Sequence, residues 1–215
     1  MTWAEIYEAV QKLINQTPAN SQRFSTDEFV RAINDAYLSI IDVFVNKARS
    51  GALGFDVLEP LIKDVFQAGS ALALPNDFWK EITVTINYPQ GKRAAKIVPY
   101  DEFIQLTGNV YTEGHSMMPL ASITNGIVVR SPAGTETMTL YYVKSPTLMT
   151  EDDIISGTTK PEINEKYHRL IVYGAAAKLA LHAGSGMEGY HNAWQATFDG
   201  ELAKLIGGGA GDKGK

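Results

Sequence analysis

The chain has 215 residues, of which 45% are hydrophobic and 20% charged, so a core can be buried and wholesale disorder is excluded. Net charge is −5, and no third of the chain is strongly basic: 6 basic against 9 acidic residues over 1–70, 7 against 9 over 71–160, and 6 against 6 over 161–215. That balance argues against a dedicated nucleic-acid clamp. The absence of cysteine removes disulfides, thiolate metal sites and cysteine nucleophiles.

In chain order, Trp3, Ile6, Tyr7, Val10, Leu13 and Ile14 recur at helical spacing, with a Thr2/Glu5 capping box before them and Pro18 as the stop. A second helix is expected from Ser25, capped with Glu28. Its stripe is Phe29, Val30, Ile33, Tyr37, Ile40, Ile41, Phe44 and Val45, and it ends near Ser50-Gly51. A shorter helix or irregular stretch is expected over Asp56 to Phe66. Ser70–Leu74 can add an edge strand. Ile82, Val84, Ile86 and Tyr88 then alternate with polar residues, the period of a strand with one buried face.

Pro89-Gln90-Gly91 turns this strand back, with residues 93–98 as its hairpin partner. A short helix follows at Tyr100–Leu106. Leu120–Thr124 and Ile127–Arg130 flank Asn125-Gly126, a strong hairpin signal because both turn residues tolerate positive φ. After the Pro132-Ala133-Gly134 turn comes a strand over Thr137–Lys144, with Met138, Leu140 and Tyr142 on one side. A loop is expected over 145–160. The next helix carries Ile163, Tyr167, Leu170, Ile171, Gly174, Ala177 and Leu181 as its stripe. The last runs from about Gly189 to Ile206, with Trp194, Phe198, Leu202 and Leu205 inward.

The order helices, strands, helices implies an α+β fold. Both chain ends form a helical bundle, and a central antiparallel β-rich lobe lies between them in sequence. The expected boundaries are 1–69 for the N-terminal helices, 70–146 for the lobe, 147–206 for the C-terminal helices, and 207–215 for a flexible tail. That tail has five glycines in nine residues. The N-terminus does not read as a secretory signal, and the longest apolar stretch, Leu170 to Ala177, is too short to span a membrane. A soluble chain, or part of a soluble assembly, is expected.

Motifs for chemistry are sparse. Gly184 to Gly189 matches G-x-G-x-x-G but follows a helix, where dinucleotide binding needs a strand, so an interhelical turn is the better reading. Gly209 to Lys215 matches the start of a phosphate-binding loop without the Ser or Thr and helix that must follow. His115, His168, His182 and His191 have no helical zinc spacing, and no G-x-S-x-G elbow supports a dyad of His115 with Ser116. Glu151-Asp152-Asp153 lacks the alternation of a calcium loop and reads as a solvated loop. Tyr111, Tyr141 and Tyr142 suit core and cross-strand packing better than base stacking. Asn15-Gln16-Thr17 is a sequon without a secretory context. No catalytic, metal or cofactor residue is assigned.

Several segments together resemble a family: Leu74-Pro75-Asn76-Asp77-Phe78-Trp79, Val98-Pro99-Tyr100-Asp101-Glu102-Phe103, Ile127-Val128-Val129-Arg130, Thr139 to Pro146, and Pro161 to His168. Their succession is similar to the head-to-tail adaptor, or connector ring, proteins of tailed bacteriophages, of the tail tubular protein A or gatekeeper kind. The resemblance covers roughly Trp3 to Leu205. It implies a structural virion protein, assembled in the host cytoplasm. Twelve self-associated copies would form a ring between the portal protein and the tail nozzle or next ring protein. Double-stranded DNA would pass through without sequence-specific binding, no membrane or cofactor is implied, and the family offers no catalytic residues to carry over. In that setting the tail supplies candidate docking residues toward the portal or a neighbouring subunit: Gly207, Gly208, Gly209, Asp212, Lys213 and Lys215. Two other functions fit the composition. One is a carbohydrate- or protein-binding accessory module of a phage particle, with an aromatic platform at Trp79, Tyr88 or Tyr111. The other is a small hydrolase using His115 or the 151–153 carboxylates.

Overall fold

In a computed structural model, residues 1–15, 24–50, 52–108, 114–183 and 187–207 are described. The chain forms two compact units, Met1–Pro60 with Pro146–Lys215, and Leu61–Ser145.

The first unit joins helices from both chain ends, as the α+β reading expects. α1 (Trp3–Asn15) opens on the reciprocal bonds of Thr2 and Glu5: the Thr2 N–H donates to Glu5 Oε2 at 2.8 Å and the Glu5 N–H to Thr2 Oγ1 at 3.2 Å. Trp3, Ile6, Val10 and Ile14 are buried, and Tyr7 and Leu13 half-buried. Pro18 lies outside the described residues. α2 (Thr26–Arg49) has the Ser25/Glu28 capping box and buries its expected stripe apart from Val30, which is half-buried.

α5 (His168–His182) packs against α1, α2 and α6 (Glu188–Gly207). It is enclosed on nearly all sides, so its apolar residues do not form a single stripe. Two expectations fail here. The helix starts at His168, after a 3-10 turn over Glu165–Tyr167, and Leu181 is 63% exposed instead of inward. Trp194, Phe198 and Leu202 of α6 are only half-buried, and the side chain of Leu205 lies outside the described residues.

At Gly174 both α2 and α6 come close to α5. A Cβ there would sit 3.2 Å from the Ala36 Cβ of α2 and 3.5 Å from the Phe198 ring of α6. Gly174→Val should therefore lower stability by about 2 kcal/mol through overpacking, despite the better helix propensity of Val. Chemical denaturation would show it, and adding Ala36→Gly should recover part of the loss. Equal stability of G174V and the parent chain would contradict this packing.

Two further expectations are corrected in the connecting segments. A 3-10 helix covers Phe55–Leu61, but residues 62–66 belong to a strand, β1 (Ile62–Ala68). The 145–160 loop contains α4 (Glu151–Ser156), so Glu151, Asp152 and Asp153 form a helical first turn.

In the second unit the remaining strands are β2 (Ala71–Ala73), β3 (Phe78–Tyr88), β4 (Gly91–Ile97), β5 (Leu120–Thr124), β6 (Ile127–Ser131) and β7 (Thr137–Lys144). Among the described residues they form one sheet in the order β1-β7-β3-β4-β5-β6-β2. β3 starts earlier than its alternation indicates, at Phe78, across two register shifts against β7. Asn125 (φ 47°) and Gly126 (φ 76°) make the predicted hairpin turn between β5 and β6. The lobe is not wholly antiparallel. β4 and β5 run parallel, and the chain crosses between them through α3 (Tyr100–Thr107). Val65, Val84, Ile86, Met138, Leu140, Tyr142 and Val128 share the core.

The sheet nearly closes on itself. β1 runs along β7 and β2 along β6, so residues 62–73 form one bent edge antiparallel to residues 127–144. At the bend, Gly69-Ser70 faces the 132–136 turn. Arg130, with its side chain 0% exposed, holds that corner. Its Nε donates to the Gly69 carbonyl at 2.9 Å, Nη1 to the Pro132 carbonyl at 2.9 Å, and Nη2 to Glu136 Oε2 at 2.8 Å. Arg130 also holds the Glu136 carboxyl below the usual carboxylate pKa range.

Candidate functional site

The sequence-level chemistry candidates are dispersed and mostly structural. His115 is exposed, and its Nδ1 accepts from the Met117 N–H at 3.3 Å. His191 reaches from α6 to α5, its Nδ1 donating to the Ala177 carbonyl at 2.9 Å. His182 is exposed at the end of α5. It borders a cleft of about 280 Å³ that also contains Glu28, Arg31, Asp35 and Lys178.

His168 is fully buried. Its Nε2 donates to the Ile163 carbonyl at 3.0 Å, and its Nδ1 has no hydrogen-bond partner among the described residues. Burial pushes its pKa below the ordinary value, with the Ile163 and Met1 backbone and Glu165 opposing that shift and the Met1 amine adding to it. The folded state therefore holds a neutral ring that the unfolded chain protonates more readily. Stability from this group is full above about pH 6.5 and is lost as pH falls below it. The parent chain should lose more stability between about pH 7 and pH 5 than His168→Gln does. Parallel pH profiles in denaturant melts of the two proteins would contradict this.

The acidic run divides by role. Asp153 completes the capping box of α4, accepting from the N–H of the Thr150 cap at 2.7 Å, and also accepts from Thr159 Oγ1 at 2.6 Å, which lowers its pKa. Glu151 and Asp152 remain exposed. Hydrogen bonding to Asp27 and the charge of that carboxylate push the Glu151 pKa up. No group of three or more His, Cys, Asp or Glu residues is placed to hold a metal among the described residues.

The aromatic candidates do not form a shared platform. Tyr142 is in the core, its hydroxyl donating to Asp77 Oδ1 at 2.9 Å and its pKa pushed up to about 12, chiefly by burial. Tyr88 is buried and Trp79 half-buried. Tyr141 lies under the Lys92 ammonium, 4.9 Å from the ring centroid. Tyr111 lies outside the described residues. Gly184, Ser185 and Gly186 do so as well, and Met187 is buried just before α6. Of the candidate docking residues, Gly207 is the last residue of α6, and Gly208, Gly209, Asp212, Lys213 and Lys215 lie outside the described residues.

Among the described residues, the surface also carries exposed apolar side chains and a basic cleft. Phe66 is 70% exposed, Met118 70% and Ile155 83%, with Met117 and Leu181 also exposed. In the helical unit, a cleft of about 450 Å³ opens between α1 and α5, bordered by Lys12 and Arg169 over Ala9, Leu13 and Val172. Sequence reasoning missed this cleft, because its two cations come from segments more than 150 residues apart.

The family model for SU10 adaptor proteins matches residues 1–213. The chain is a member of the SU10 adaptor protein family. It is a bacteriophage structural adaptor and a virion component. No curated protein matches the adaptor. No helix among its described residues is long and apolar enough to cross a membrane.

Proposed function

We propose that the adaptor is a connector ring protein of the tail tubular protein A or gatekeeper kind, acting as a structural part and not as an enzyme. Twelve copies form a ring on the portal protein, extend the DNA channel, and present a platform to the tail nozzle or next ring protein. The observation that carries this reading is the family match over nearly the whole chain. The exposed Ile155, Leu181, Met117 and Met118 support it, since a monomer destined for a ring keeps apolar surface for its neighbours. So does a net charge of −5, because a conduit lined with cations would hold DNA through counterion release. Residues 207–215 dock on the portal or on a neighbouring subunit, with Lys213 and Lys215 facing acidic groups there.

The mass of the adaptor–portal complex tests the ring, with twelve adaptor copies per portal ring as the expected result. A complex of one or a few copies would contradict it. Deleting residues 207–215 should reduce incorporation onto portal rings, and unchanged incorporation would remove the docking role of the tail.

A further inference from the structure

The basic cleft has a complement elsewhere on the same chain. Lys12 and Arg169 border it, Leu13, Ala9 and Val172 form its apolar floor, and none of these five residues is acidic. Arg169 has no ion-pair partner among the described residues, and Lys12 has only the loose, exposed Glu8 at 3.8 Å. α4 carries the opposite pattern. Ile155 lies four residues after Glu151 and three after Asp152, so it neighbours both carboxylates on the helix surface, one on either side. All three are exposed, Ile155 at 83%, while Asp153 turns back to the Thr150 cap and Ile154 is half-buried.

We propose that the cleft between α1 and α5 of one copy receives the Glu151–Ile155 ridge of the next copy. Lys12 and Arg169 meet Glu151 and Asp152, and Ile155 enters over Leu13 and Val172. The inference rests on the ring reading above and names the contact that builds the ring. Charge complementarity selects a second copy as the occupant. The apolar floor beneath the cations favours an acidic, apolar protein ridge over a nucleic-acid phosphate. The two patches are on different elements, α4 packing on α1 and α2 while the cleft lies between α1 and α5, so the contact is heterologous. Heterologous contacts generate rings where the rotation closes, whereas a self-complementary patch would stop at a dimer.

The chain contains no cysteine, which makes crosslinking unambiguous. Particles assembled with Leu13→Cys plus Ile155→Cys and treated with a short bis-maleimide should give a ladder of adaptor multimers on denaturing gels. Either single variant should give none. Electron microscopy separates the two readings: a ring of the double variant without a ladder overturns the contact alone, and particles of the unmodified chain without a ring overturn the parent reading. Charge reversal provides a second route if the cysteine pair does not incorporate. Lys12→Glu with Arg169→Glu, or Glu151→Lys with Asp152→Lys, should each cut incorporation at least about tenfold, since like charges then face each other. Mixing the two variants should restore it, because each supplies the ridge the other's cleft now needs. Failure of the mixture to recover would overturn the contact. Normal incorporation of the Lys12/Arg169 variant with altered DNA retention would assign the cleft to DNA and overturn it as well.

Discussion

Replacing Trp3 with Ala should destabilise the helical unit by about 4 kcal/mol, the range for removing a large buried aromatic. Trp3 is buried beneath α2, its ring edge-on to Tyr37 with centroids 5.2 Å apart. Its backbone N–H donates to the Thr159 carbonyl at 2.9 Å, and the Tyr37 hydroxyl accepts from the Glu162 N–H at 3.0 Å. One residue near the start of the chain is thus held by α2 and by the segment after α4, so the two chain ends are stapled together there. The cavity left by alanine would adjoin the Tyr37 ring. Urea denaturation followed by far-UV circular dichroism would measure the loss, since the variant also lacks one of the tryptophan reporters. A cost below about 1 kcal/mol would mean that the chain ends are not joined through this residue.

Arg130→Ala should cost about 3 kcal/mol, with Arg130→Lys recovering only part. The guanidinium reaches three residues on two chain segments at once: Gly69, and Pro132 and Glu136 of the facing turn. Alanine leaves the Gly69 and Pro132 carbonyls without their donors. Lysine keeps the charge but cannot direct separate N–H groups to divergent acceptors. The corner where residues 62–73 bend past the 132–136 turn should then loosen, and amide exchange should rise at Gly69 and Gly134, whose N–H groups bond to Glu136 O and Ser70 Oγ. Trp79 lies on β3 in the same unit and provides a fluorescence signal for its unfolding. An unchanged midpoint would show that the corner closes without Arg130.

Local signals in the sequence are clearest where a single side chain decides the backbone. The two capping boxes and the Asn125-Gly126 turn are of this kind, as is the alternation from Val84 to Tyr88. β1 leaves no strand signal in the sequence because it is an edge strand exposed on most of its length: Val65 packs toward the core while Phe66 is exposed, so no alternation appears. The acidic run hid α4, since Glu151 to Asp153 resemble a loop until Thr150 is recognised as the cap. α5 is buried nearly all round, and a stripe drawn through it extends one turn too far, to Leu181. The parallel pairing of β4 with β5 and the burial of Arg130 depend on long-range register, which short motifs do not encode. The same holds for the cleft that brings Lys12 to Arg169.

Electron microscopy of the adaptor bound to its portal protein tests the functional claim most directly. The expected image is a closed ring of twelve adaptors, coaxial with the portal and open at the centre, with α4 of each copy seated between α1 and α5 of its neighbour. Isolated copies scattered on the particle surface, without a central opening, would contradict it.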